Sequence, residues 1–222
     1  WPEGVSFITC ENTLTSFQKF MKYHRSHFSM PVIGITGSNG KTIVKEWLYQ
    51  MLQNNRKVIR SPKSYNSQVG VALSVWLLDP SYDLAIFEAG ISHMGEMKRL
   101  QSIIKPDIGI ITNVKEAHQE NFRDYEEKTR EKLILFEDCK TIIYCRDHER
   151  IHNMATEQFG RERCFTWSQK EKGDVCIKNL KKSKGSVEFE FSYEDKSGIF
   201  NVPFSDEASL ENIMHVISCL LW

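Results

Sequence analysis

Three glycines, Gly34, Gly37 and Gly40, lead into Lys41 and Thr42 in the stretch GITGSNGKTIVKEW, residues 34–47. Glycines at 37 and 40 let a backbone close around phosphate oxygens with no Cβ in the way. Where such a loop opens a helix, its amides point outward together and the helix dipole adds positive potential. Lys41 could then reach the β- and γ-phosphates of a nucleotide, and the Thr42 hydroxyl could ligate Mg²⁺. The common phosphate loop, G-x-x-x-x-G-K-T, needs glycine at position 35, where this chain has Ile35. The spacing here is instead G-x-x-G-x-x-G-K-T. The plain alternative is a glycine-rich turn with a solvent-facing lysine. Glycine, lysine and threonine at these offsets, between a strand and a helix, favour phosphate.

The flanking pattern supplies that context. PVIGITG reads as a short buried strand, and Ile43, Val44, Trp47, Leu48, Met51 and Leu52 then repeat at helical spacing. Upstream, Leu14, Phe17, Phe20, Met21 and Phe28 do the same. The alternation continues through strand KVIR, helix SQVGVALSVWLL, strand DLAIFEAG, helix EMKRLQSII and strand DIGIITNV. A helix through Lys128–Phe136 and strand TIIYC follow. Strands apolar on both faces and separated by helices predict an α/β fold: a mostly parallel sheet flanked by helices, carrying a P-loop. After about residue 170, DVCIKNL, SVEFEFSY and GIFNVPF predict a small antiparallel hairpin region, with turns at Lys184-Gly185 and Ser197-Gly198. Asp206 is the expected N-cap of a closing helix with Leu210, Ile213, Met214, Ile217 and Leu221 inward.

Composition narrows the partners. Lys+Arg and Asp+Glu are both 29 in 222 residues, so no global field recruits nucleic acid or acidic lipid. The Lys-rich stretch KNLKKSKG reads as a solvated hairpin. The six cysteines form no CxxC pair, which fits a reduced, cytoplasmic protein. No apolar run approaches the roughly 20 residues needed to span a bilayer. The chain starts at Trp1-Pro2-Glu3 and stops mid-pattern at Leu220-Leu221-Trp222, which suggests a piece of a longer protein.

TGSNGKT followed by VKE resembles the ATP loop of the Mur ligases, the amide-forming enzymes of bacterial cell-wall precursor synthesis. Within that family it looks most like the member that adds D-alanyl-D-alanine to UDP-N-acetylmuramoyl-tripeptide. LAIFEAGISHMGEM ends a strand in Glu88, where the family places a carboxylate for Mg²⁺. NVKEAHQENF is similar to the family's N-V-x-x-A-H-x-E-x-F, so His118 falls on its metal-site histidine. Lys132, in KTREKLILF, falls on a lysine that several members carbamylate to hold a second Mg²⁺. Asn66, in SYNSQVGVALSV, matches an asparagine before I-G-V-P, with Ala72 replacing the proline. ASLENIMHV resembles the adenine-side H-N-x-x-N, keeping Asn212 but with Ala208 and Ser209 in place of the His-Asn pair. SPKSYNSQVGVALSVW is similar to versions fused to an alanine racemase. The resemblance runs from about Thr13 to the end and is strongest over residues 31–136.

The resemblance implies an ATP- and Mg²⁺-dependent ligase working through an acyl phosphate. It implies catalytic roles for Lys41, Lys132 and His118, and ATP binding by Gly37, Ser38, Asn39, Gly40, Lys41, Thr42 and Asn212. Asn66 would bind substrate, and Thr42, Glu88 and His118 would hold metal. Residues 1–30 would be the end of an N-terminal UDP-substrate domain with a linker helix. Residues 31–222 would be the central ATP-binding domain, without the C-terminal domain, as a monomer with little turnover alone. Each residue also has an ordinary reading: His118 at the surface, Lys132 solvated, Asn66 capping a helix, Asn212 on an outer face. A GTPase-like switch would want N-K-x-D, but Asn113-Val114-Lys115-Glu116 displaces the lysine. A small-molecule kinase would want the regular loop spacing and an arginine-rich lid. A folylpolyglutamate synthase loop would usually end G-K-G-S. A non-catalytic nucleotide-binding module stays open.

Overall fold

The computed structural model describes residues 4, 6, 8–116, 121–170 and 173–222. The first half runs α1 (Thr13–Arg25), β1 (Val32–Thr36), α2 (Lys41–Leu52), β2 (Val58–Arg60), α3 (Gln68–Trp76), β3 (Leu84–Glu88), α4 (Glu96–Ile104) and β4 (Ile108–Ile111). Then come α5 (Tyr125–Leu133), β5 (Thr141–Cys145), α6 (Glu149–Phe159) and β6 (Cys164–Ser168). The last part is β7 (Val175–Ser183), β8 (Ser186–Tyr193), β9 (Lys196–Val202) and α7 (Glu207–Leu221).

Among the described residues the strands form one sheet in the order β2-β3-β1-β4-β5-β6-β7-β8-β9. It is parallel from β2 through β7 and antiparallel from β7 to β9. Strands β1, β3, β5 and β6 are buried along their whole length, because helices cover both faces. Met21, Phe87, Leu100 and Phe136 pack on the face covered by α1, α3, α4, α5 and α6. Leu48, Ile86, Trp167 and Met214 pack on the other, under α2 and α7. From β1 the chain runs to β2 and back to β3 on one side, then crosses to β4 on the other. That reversal opens a crevice at the carboxyl end of β1, where doubly wound sheets bind ligands.

The closing helix is capped as expected, with the Asp206 carboxylate accepting from Ser209 N at 2.8 Å. The Lys184-Gly185 turn is also present, Gly185 having φ 82. The second expected turn is misplaced. Ser197 and Gly198 lie inside β9, opposite Ser192 and Phe191, and the chain reverses at Glu194 and Asp195. Gly198 is there because a Cβ would collide with the Phe191 ring. The expected helix Lys128–Phe136 begins earlier, at Tyr125, capped by Asp124, and tightens into a 3-10 turn over Ile134–Phe136. Helix α6 and strand β6 add to the elements expected from the sequence; Thr166 and Ser168 break the apolar run of β6.

Helix α1 is tied to the same body. Its buried Arg25 donates to Ile104 O at 3.1 Å and to Phe28 O at 2.6 Å, and Gln18 bonds Gln68 Oε1 at 2.9 Å. No described helix is long and apolar enough to cross a membrane.

Candidate active site

The glycine loop links β1 to α2 at the crevice. Gly40 is the N-cap of α2 at φ 83, a left-handed conformation that glycine adopts without strain. A Cβ there would overlap Asn212 Oδ1, and one at Gly37 would overlap Thr112 Oγ1. The loop is splinted from the segment after β4: Ser38 N donates to Asn113 O at 2.8 Å and Asn39 N to Asn113 Oδ1 at 3.1 Å. Lys115 N donates to Ser38 Oγ at 3.0 Å, and the Thr112 hydroxyl donates to Asn39 O. The amides of Ser38 and Asn39 are thus engaged by Asn113. The first turn of α2, whose amides have no intrahelical acceptor, is the anion-attracting end. Gly40→Ala should therefore combine backbone strain with a clash against Asn212. We expect a loss of about 1–3 kcal/mol in stability, read by urea denaturation, together with weaker nucleotide binding.

Glu88 ends β3 beside the loop, in register with Ile35, and is fully buried. Its Oε2 accepts from Thr42 Oγ1 at 3.0 Å and from Asn66 Nδ2 at 3.3 Å. Its Oε1 lies 2.8 Å from the Lys45 ammonium. Lys41 folds back over the loop, donating to Gly37 O at 2.8 Å. From α5, Lys132 reaches the same carbonyl at 3.4 Å and is 3% exposed, so it is not the solvated lysine of the ordinary reading. Lys41 and Lys132 line one cleft of about 330 Å³ with Ser38, Asn66, Gln68 and Glu96. Asn66 does not cap α3; Ser67 does, accepting from Gly70 N at 3.2 Å. Asn212 is buried against Gly40 rather than on an outer face. His118 lies outside the described residues.

Among the described residues no three His, Cys, Asp or Glu side chains converge as a metal set. Magnesium does not demand such a set, since it commonly takes one or two carboxylates and completes its shell with water and substrate phosphates. The Thr42 hydroxyl and the Glu88 carboxylate, hard oxygens 3.0 Å apart at the head of α2, fit that requirement.

Several residues around the site carried no role in the sequence reading. Lys45 was visible only as part of the VKE that follows the loop. Asn113 opens the N-V motif but shows its splinting function only in three dimensions. His215 had no signal at all: its Nε2 faces Thr112 O at 3.1 Å, and its Nδ1 takes the Trp167 indole N–H at 3.1 Å. Those partners require the neutral ring protonated on Nε2. Burial pushes its pKa down to about 4. Because the folded value lies below the unfolded one, the unfolded chain binds the extra proton between them. His215 therefore costs no stability above about pH 6.5 and removes it progressively as pH falls toward 4, by about 3 kcal/mol in full. A shallower acid limb for His215→Gln than for the wild type, in denaturant midpoints from pH 7 to 4, is the expected result.

Residues 35–220 match the Mur ligase middle domain. The chain belongs to the Mur ligase family. This Mur ligase chain is 37% identical over 140 residues to the UDP-N-acetylmuramoyl-tripeptide–D-alanyl-D-alanine ligase of Borreliella burgdorferi, covering 63% of the chain and 29% of that protein. The Bacillus subtilis protein of the same name is 26% identical over 222 residues, 99% of the chain and 46% of that protein. The MurF ligase of Thermotoga maritima, solved in complex with ADP, superposes with a TM-score of 0.84 at 25% identity, covering 99% of the chain and 52% of that structure. The Mur ligase chain thus spans about half or less of the length of these relatives.

Proposed function

We propose that this chain is the ATP-binding core of the ligase that adds D-alanyl-D-alanine to UDP-N-acetylmuramoyl-tripeptide in peptidoglycan precursor synthesis. The observation that carries the reading is the cleft at the head of α2. There Lys41, Lys132 and Asn66 line one space, and Asn66 bonds the buried Glu88 that accepts from Thr42. Relatives of that name and the ADP-bound structure support it.

In this reading the bond between the γ-phosphorus and the ADP oxygen breaks as the tripeptide's terminal carboxylate oxygen bonds to phosphorus. The amine of D-alanyl-D-alanine then attacks the acyl carbon, the carbon–oxygen bond to phosphate breaks, and the amine gives up a proton. Such transfers depend on positioning and on countercharge for the phosphoryl oxygens. Lys41 and the first-turn amides of α2 hold the β- and γ-phosphates. Lys132, on the far wall, faces the transferring group, either as the ammonium or, after carbamylation, as a ligand for a second metal. Asn66 orients the acceptor carboxylate, and Asn212 marks the adenine side. Thr42 and Glu88, with His118, would hold Mg²⁺, which supplies charge neutralisation to the phosphates.

Residues 31–222 form the ATP-binding domain and residues 1–30 the tail of a preceding substrate domain, with α1 as the linker helix packed on α3 and α4. The protein works as a cytoplasmic monomer on small-molecule substrates, and this stretch alone turns over little. Calorimetric titration with non-hydrolysable ATP and GTP analogues, with and without Mg²⁺, tests the core of the reading. Adenine-preferring, Mg²⁺-dependent binding is expected, followed by D-alanyl-D-alanine-dependent phosphate release from the full-length enzyme. Equal affinity for both bases, or phosphate release indifferent to the dipeptide, would point instead to a general nucleotide-binding module.

A further inference from the structure

A buried lysine stands beside the acid of this site and has no part in the chemistry above. Lys45 follows Thr42 by three residues on α2, so its side chain reaches the carboxyl ends of β2 and β3. Its Nζ lies 2.8 Å from Glu88 Oε1, 3.2 Å from Glu46 Oε1 and 2.9 Å from Ser61 O, and it also donates to Lys63 O. Four oxygens surround an ammonium whose side chain, like that of Glu88, is 0% exposed. Lys63, one of the four, has φ 48, an uncommon conformation for a residue with a side chain. Ser61 also accepts from Glu88 N at 3.2 Å, so the segment leading to Asn66 is laced to the acid through both its backbone and Lys45.

We propose that Lys45 is a positioning residue that neutralises Glu88 until nucleotide arrives, so that a divalent ion binds Thr42 and Glu88 only together with the nucleotide's phosphates. The proposal rests on the reading of Thr42 and Glu88 as the metal-holding pair. A buried carboxylate alone would draw a divalent cation strongly, because charges a few ångströms apart interact far more in a protein than in water. With an ammonium 2.8 Å from Oε1 the pair carries no net charge, and the ammonium repels an incoming cation that the carboxylate attracts. Phosphate oxygens supply the missing negative charge. Lys45 also holds Oε1, which leaves Oε2 as the oxygen turned toward Thr42 and Asn66. The consequence is an ion that arrives and leaves with the nucleotide.

Mn²⁺ titration followed by electron paramagnetic resonance, on this chain with and without a non-hydrolysable ATP analogue, tests the idea. The wild type should bind Mn²⁺ only with the analogue. Lys45→Met should bind it without nucleotide at least about tenfold more tightly than the wild type, and adding Glu88→Gln should abolish that gain. Lys45→Arg, which keeps the charge, should stay nucleotide-dependent. If Lys45→Met does not fold, Lys45→Gln carries the same comparison, since it offers the carbonyls a donor without the charge. Nucleotide-free binding no tighter in the neutral variant than in the wild type overturns the proposal alone. Wild-type protein that holds no Mn²⁺ even with the analogue overturns both the proposal and the metal-site reading beneath it.

Discussion

Lys41→Ala should lower affinity for an ATP analogue by roughly 30- to 150-fold, equivalent to losing about 2–3 kcal/mol of charge-assisted hydrogen bonding. The Lys41 ammonium now donates to Gly37 O at 2.8 Å and approaches Ser38 O at 3.5 Å. Both are local, main-chain acceptors. A bound polyphosphate would offer charged oxygens, which hold an ammonium more strongly than carbonyls do. The loop itself should survive, because Asn113 and Thr112 hold it independently of Lys41. Alanine is at least as good a helix former as lysine at the first position of α2. The thermal midpoint should therefore stay close to the wild type while calorimetry shows the loss. Lys41→Arg should recover only part of it, since a planar fork does not replace a compact point charge. An affinity within threefold of the wild type would remove Lys41 from the phosphate site.

Glu88→Ala should be among the most destabilising single changes in the molecule, by about 3–5 kcal/mol. The cause lies in what remains. Lys45 would stand at 0% exposure with its closest carboxylate gone, and Thr42 and Asn66 would lose a shared acceptor. At roughly 2–4 °C per kcal/mol for a domain of this size, the thermal midpoint should fall by about 6–20 °C. Glu46→Ala is the control. Glu46 also meets Lys45, at 3.2 Å, but its side chain is 32% exposed, and such partly solvated pairs contribute at most about 1 kcal/mol. If the two variants melt together, the buried pair is not what holds the ends of β2 and β3 to α2. The double variant Lys45→Met, Glu88→Ala should recover part of the loss, because no uncompensated charge is left behind.

The acid limb of His215 and the strain at Gly40 concern the same loop from its other side. Trp167 fixes His215, His215 fixes Thr112, and Thr112 bonds the carbonyl of Asn39. Asn212, one turn before that histidine on α7, closes over Gly40. The glycine loop is thus clamped by the segment after β4 and by α7 together.

Much of this was legible in the chain itself. Glycine, lysine and threonine between an apolar strand and an apolar-periodic helix are read locally, because the strand, the left-handed cap at Gly40 and the helix start depend on adjacent residues. The parallel α/β architecture follows from strands that are apolar on both faces, and Asp206 caps α7 by a bond to a residue three positions on. What only the tertiary structure decided is the fate of the charged residues. The sequence of α5, YEEKTREKL, looks solvated, yet Lys128 and Lys132 are buried. Carbonyls at Lys115 and Gly37, brought from 13 and 95 residues away, accept from their amines. Lys45 looks like an ordinary helix lysine until β2 and β3 bring it Ser61 O and Glu88. Hydrophobic periodicity records which side chains avoid water. It does not record which distant oxygens will replace water around an ammonium, and in this site those oxygens are brought in by strand order and the loops that follow the strands.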